Sequence, residues 1–196
     1  MTDNPISMWF AGNTYESWKS AGYMVEIVEA VTPDTIKDFR WELIFEPIKK
    51  LGVEQRPFSD TEKAVCYSHL KCWDIVRRKA SPAIIIEHDA LLTTPWIPND
   101  LHDFGMVPLC KWGLENGGLN TFPAVAYYMQ PAWGQRMFDL LLATKIKGNI
   151  DAYLWRYMQE ILGEKLIQKY AHYVTHQKDD KIGNTILHPD IGVLNG

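Results

Sequence analysis

TEKAVCYSHLKCWDIVRRKASPAIIIEHDALL, residues 61–92, is the stretch that decides how this chain is read. Within it Val65, Leu70, Trp73, Ile75 and Val76 fall mostly at helical spacing. Lys71, Arg77, Arg78 and Lys79 are left for a solvated face and a basic last turn, where the helix dipole favours cations. Ser81 and Pro82 then open an apolar run, Ala83-Ile84-Ile85-Ile86, whose β-branched residues predict a buried strand. That strand delivers Glu87, His88 and Asp89 at its end. In an open α/β sheet, ligands sit outside the carboxyl ends of the strands. A carboxylate, imidazole and carboxylate there suit a divalent cation that bridges a phosphate.

Outward from this unit the chain alternates. Residues 6–11 read as a strand, 14–21 as a helix entered through an Asn13 or Thr14 cap, and 24–28 as a second strand after Gly22. Together they predict a βαβ opening of a parallel sheet. Ile36, Phe39, Leu43, Ile44, Ile48 and Leu51 predict a helix over 34–51 broken at Pro47, with a loop over 52–60. Pro95, Pro98, Pro108 and the Gly117-Gly118 pair leave room only for short strands and an exposed, substrate-covering loop over 93–122. Further helices are predicted over 131–144, with Pro131 near the first position, and over 151–162, stopped by Gly163.

At 196 residues and 46% hydrophobic, the chain suits one domain, read as 1–196 with 178–196 as a C-terminal tail. Eight Trp, nine Tyr and seven Phe suffice for a dense core and for stacking against sugar or base rings. A net charge of −4 argues against tight unspecific binding to nucleic acid, although Lys71, Arg77, Arg78 and Lys79 form a local basic face. Cys66, Cys72 and Cys110 have no zinc spacing and no paired framework, which fits a reducing, cytoplasmic compartment. No apolar segment approaches the length of a transmembrane helix.

Cys66, Ser68-His69 and Trp73, followed by an apolar strand closing on Glu87-His88-Asp89, resemble family 25 of the glycosyltransferases. This family includes lipopolysaccharide-type sugar transferases and collagen galactosyltransferases. A second patch resembles it too: Ala126-Tyr127-Tyr128-Met129, Pro131, Gly134, an apolar helix and Asp151, so that the likeness spans roughly residues 22–155. The chain departs from the family pattern at Lys63, Val65 and His88, and Ser7 to Asn13 stand where the family has a strand and an Arg-rich turn. The His variant of the triplet points to a small phage or bacterial member.

The resemblance implies a GT-A-like (Rossmann-like) mixed α/β sheet flanked by helices. It also implies a metal-dependent inverting transferase, hexosyl or pentosyl, that takes a sugar from a nucleotide-linked donor, by preference UDP. Asp89 and Glu87, with His188, would hold Mn²⁺ or Mg²⁺ against the leaving diphosphate. Ser68, His69, Trp73, Glu87, His88 and Tyr127 would serve the donor or substrate, and Asp151 would be the general base. Read alone, Trp73 is core, Asp151 caps the helix after it without excluding the catalytic role, and His69 is a core histidine; with the motif around it, His69 is equally a ligand or a support. The acceptor is a glycan of the cell envelope or a hydroxymethylated base in phage DNA. A catalytically silent nucleotide-sugar or glycan-binding module is the reading from another class.

Overall fold

A computed structural model describes residues 5–38, 40, 43–44, 58–94, 97, 99–112, 120–121, 124–146, 150–162, 169–177 and 191–195. In chain order the helices are α1 (Pro5–Ser20), α2 (Asp60–Lys79), α3 (Pro131–Thr144) and α4 (Ile150–Leu162). The strands are β1 (Met24–Val28), β2 (Ala83–Ile86), β3 (Ala90–Leu92), β4 (Met106–Pro108), β5 (Lys111–Trp112), β6 (Asn120–Thr121), β7 (Ala126–Met129), β8 (Val174–His176) and β9 (Ile191–Asn195).

Strand β2 sits in the middle of a five-stranded sheet of order β1-β9-β2-β7-β4. Its four residues are all buried because helices cover both faces of the sheet. Ala83 and Ile85 point into a core shared with Leu70, Trp73 and Val76 of α2, Met137 and Leu141 of α3, and Leu154 and Met158 of α4. Ile84 and Ile86 point the other way, into a core with Trp18 of α1, Leu101, Val107 and Tyr170. Strand β7 divides in the same manner, Tyr127 and Met129 to the first face, Ala126 and Tyr128 to the second. The result is a mixed α/β arrangement of helices around small sheets.

Every neighbouring pair in that sheet is antiparallel, with Ile86 opposite both Ala126 of β7 and Gly192 of β9. The parallel pairing expected of the opening is therefore corrected. A continuous apolar run reports burial on two faces, and layers of helix impose that on an antiparallel central strand as well as on a parallel one. Strand β4 is at the sheet edge, where Pro108 costs no ladder bond on its outer side. Strands β3 and β8, and β5 and β6, form separate two-stranded ribbons.

Residues 6–11 are helical, as the first turns of α1. A short apolar run does not by itself distinguish strand from buried helix. Here the spacing of Phe10, Thr14 and Trp18, all buried, defines one helical face. Asn13 and Thr14 consequently lie inside α1 and do not cap it. Of the helix expected over 34–51, a 3-10 turn at Ile36–Asp38 is seen; residues 39, 41–42 and 45–57 lie outside the described residues. The helices expected over 131–144 and 151–162 are α3 and α4. Residues 191–195, assigned from sequence to the tail, form β9 inside the sheet, while 178–190 lie outside the described residues. No helix among the described residues is long and apolar enough to cross a membrane.

Two backbone details fix α2. Its N-terminus is closed by a capping box: Ser59 Oγ accepts from the Glu62 amide at 3.1 Å, and Glu62 Oε2 accepts from the Ser59 amide at 2.9 Å. Its last residue is followed by Ala80 in the left-handed region at φ 51°. Helix α3 approaches closely because Gly134 has no side chain; a Cβ there would lie 2.8 Å from the backbone oxygen of Trp73.

Gly134→Ala is expected to push α3 off α2 and destabilise the fold by about 1–3 kcal/mol. Ala80→Gly is expected to stabilise it by about 1 kcal/mol, since glycine occupies the left-handed region without strain. Both are read as midpoint shifts in urea unfolding.

Candidate functional site

The acidic triplet forms the turn between β2 and β3, closed by the Ala90 amide donating to the Glu87 carbonyl at 3.2 Å. Its geometry follows from the two-residue period of the strand before it. Glu87 continues the row of Ala83 and Ile85 and faces α2, where Glu87 Oε1 lies 3.3 Å from His69 Nε2. His88 continues the row of Ile84 and Ile86 and faces α1, its ring edge-on to Phe10 with centroids 6.3 Å apart. Asp89 is 8% exposed, and its carbonyl accepts from the Gln177 amide at 2.8 Å, extending the ladder between β3 and β8.

On the α2 side, four polar side chains form a line. His69 and Trp73 are four residues apart on one face of α2, both fully buried. Tyr127 reaches up from β7, also fully buried, with its hydroxyl 2.9 Å from His69 Nδ1 and accepting from Trp73 Nε1 at 2.7 Å. The Glu87 side chain is 16% exposed, so the line runs from the core toward the surface and ends on a carboxylate. Ser68, 1% exposed, accepts from the Val31 amide at 2.9 Å and donates to the Ala64 carbonyl at 2.9 Å. It thereby ties the segment after β1 to α2.

On the α1 side, Gln177 clasps the helix to the acidic turn. Its Nε2 donates to the Phe10 carbonyl at 3.2 Å and to Thr14 Oγ1 at 3.0 Å, while its Oε1 accepts from Asn13 Nδ2 at 3.3 Å. Trp18 Nε1 adds a bond to the Ala90 carbonyl at 2.8 Å. Asn13, Thr14, Trp18 and Gln177 escaped sequence reasoning as residues of this site. The one signal, and only for Thr14 and Trp18, was the helical spacing of Phe10, Thr14 and Trp18.

Glu87, His88, Asp89, His69, Tyr127 and Trp73 are thus brought together at the end of β2. Asp151 is the second residue of α4, inside its first turn rather than one position ahead of it, and its side chain lies outside the described residues. His188 also lies outside the described residues. Among the described residues, no three His, Cys, Asp or Glu side chains converge on one point that would hold a metal ion. At the far end of α2 the basic residues are engaged: Arg78 pairs with Asp74 at 2.7 Å, Arg77 pairs with the same carboxylate, and Lys79 pairs with Glu26. On the opposite face of β7, burial pushes the Tyr128 hydroxyl above the usual tyrosine range. That hydroxyl stays protonated and lies 2.8 Å from His102 Nδ1.

Residues 14–97 match the family model of glycosyltransferase family 25 (LPS biosynthesis protein). The matched span runs from the middle of α1 through α2, β2 and the acidic turn, and so contains His69, Trp73, Glu87, His88 and Asp89. The second patch that carries the resemblance, from Ala126 to Asp151, falls outside it. Neither a curated protein nor a solved structure matches the chain.

Gln177→Ala removes three side-chain bonds between α1 and the turn that β8 supports. It is expected to destabilise the fold by about 1–3 kcal/mol. Amide exchange is expected to rise selectively in α1; an increase spread evenly over all four helices would contradict the clasp.

Proposed function

We propose that this chain, with the family 25 signature built around its acidic turn, is an inverting glycosyltransferase. It moves a hexose or pentose from a nucleotide-sugar donor, by preference UDP-linked, to an acceptor hydroxyl in the cytoplasm. The observation that carries the reading is the placement of Glu87 and Asp89, two residues apart on one nearly buried turn at the carboxyl end of β2, within the matched span.

Carboxylates in such a position are costly to bury unless donors, protons or a cation meet them. Two carboxylates with diphosphate oxygens completing the shell are a donor set that suits Mn²⁺ or Mg²⁺, so the residues fit the cation that the family resemblance implies. Bound there, it would supply positive charge against the diphosphate that leaves. Asp89 and Glu87 would hold it, with His188 as the further candidate; β9 enters the sheet with Gly192 opposite Ile86, at this same end of β2.

The chain's own residues then have separate tasks. His69 holds the Glu87 carboxylate. His88, packed on Phe10, shapes the side of the turn toward α1. Ser68, Trp73 and Tyr127 are buried too deeply to touch the donor; Trp73 and Tyr127 serve it through His69, and Ser68 by tying the segment after β1 to α2. Asp151 is the proposed base. Helix α4, on which Asp151 lies, packs its Ile150, Leu154 and Met158 into the core that holds Trp73 and Tyr127. As the acceptor oxygen bonds to the anomeric carbon, its proton passes to Asp151. The bond from that carbon to the diphosphate oxygen breaks, and its electron pair leaves with the nucleoside diphosphate.

The acceptor favoured is a glycan hydroxyl. The basic end of α2, which would speak for a DNA acceptor, is occupied by Asp74 and Glu26. A salt-dependent gel shift with hydroxymethylated duplex DNA would reverse that preference.

EDTA and Asp89→Ala are each expected to lower transfer from UDP-sugars by at least about a hundredfold. Asp151→Asn is expected to lower kcat by about a hundredfold or more while nucleotide binding, measured by calorimetry, stays intact. Full transfer by Asp89→Ala would sink the site assignment. Metal-dependent nucleotide binding without turnover over any acceptor panel would favour the silent module.

A further inference from the structure

The line of side chains behind Glu87 has a direction. An indole N–H only donates, so at the 2.7 Å contact with Trp73 the Tyr127 oxygen is the acceptor. The Glu87 carboxylate only accepts, so the 3.3 Å contact takes its proton from His69 Nε2, and the Nδ1 of that neutral ring, 2.9 Å from the Tyr127 oxygen, accepts the hydroxyl hydrogen. A neutral ring protonated on Nδ1 would set a bare Nε2 against the Glu87 carboxylate, two acceptors with no hydrogen between them.

We infer that Tyr127 is a positioning residue: clamped by Trp73, its hydroxyl selects the Nε2–H tautomer of His69 and through it fixes the Glu87 carboxylate on the acidic turn. The purpose assigned to that fixed carboxylate rests on the transferase reading; the order of donors does not. Groups that orient a ligand from behind govern metal affinity almost as strongly as the ligand itself. The relay crosses α2, β7 and the end of β2, so its members are held by elements already locked in the core. It also accounts for polar atoms of Trp73 and Tyr127 at the centre of an apolar layer: each has a partner, and the last partner faces the site.

The wild-type chain tests the assignment without any ligand. Long-range ¹H–¹⁵N spectra of ¹⁵N-histidine protein at neutral pH are expected to show His69 as the Nε2–H tautomer, and an Nδ1–H ring overturns the proposal. In Tyr127→Phe the single tautomer is expected to give way to a mixture, and UDP binding in Mn²⁺, by calorimetry, to weaken about tenfold. Unchanged binding overturns the positioning role. His69→Gln, which keeps an N–H donor near the position of Nε2, is expected to bind UDP more tightly than His69→Leu; equal loss in the two variants overturns it. A wild-type chain with the Nε2–H tautomer that binds no UDP supports the relay and removes the transferase reading, so the two failures are distinguishable.

Discussion

The complete burial of β2 is the constraint from which the rest of the molecule follows. Ala83 to Ile86 are covered on both faces by helices and flanked on both edges by strands, so no polar side chain and no unpaired amide is tolerated along four residues. The chain becomes polar where the strand leaves this enclosure, and the two-residue period then decides what each new side chain meets. Glu87 inherits the row that faces α2 and finds His69; His88 inherits the row that faces α1 and finds Phe10. The same strand that cements the core aims the chemistry at its end.

Legibility in the sequence divides along physical lines. Helix α2 was readable because its apolar residues from Val65 to Val76 fall at helical spacing and a basic turn follows; its capping box at Ser59 and Glu62 emerged only in the structure. Helices α3 and α4 were readable for the same reason. Helix α1 was readable only in its second half, over 14–20: the apolar run at 6–11 is short, and the face that continues it contains Thr14, a polar residue whose hydroxyl is satisfied by Gln177 from far along the chain. Strand direction was also illegible, because side-chain composition records how many faces are covered and says nothing of which way a neighbour runs. Strand β9 has only a short apolar run, Ile191 to Leu194, to mark it; its place is set by the two strands it lies between.

The site shows the same division. The acidic triplet, His69 and Tyr127 stand out as residue types in a recognisable order, and Glu87 and His69 are linked by strand period and helix position. Gln177 and Asn13 carry no chemistry that distinguishes them from any surface amide. Only the fold, which lays β8 beside β3 and α1 across both, reveals what they hold. Glu62 has a structural occupation in the capping box.

Strand β9 also sets an order of events in the life of the chain. It separates β1 from β2, yet both of those strands leave the ribosome long before it. A nascent chain therefore carries the acidic turn, α2 and the hairpin-like pairing of β2 with β7 while one edge of its central strand is still vacant, and the sheet closes only on arrival of a distant segment. Non-local closure of this kind is slow and leaves a strand edge open to wrong partners in the interval. The end of β2 thus reaches its final architecture late, when β9 has joined Gly192 to Ile86.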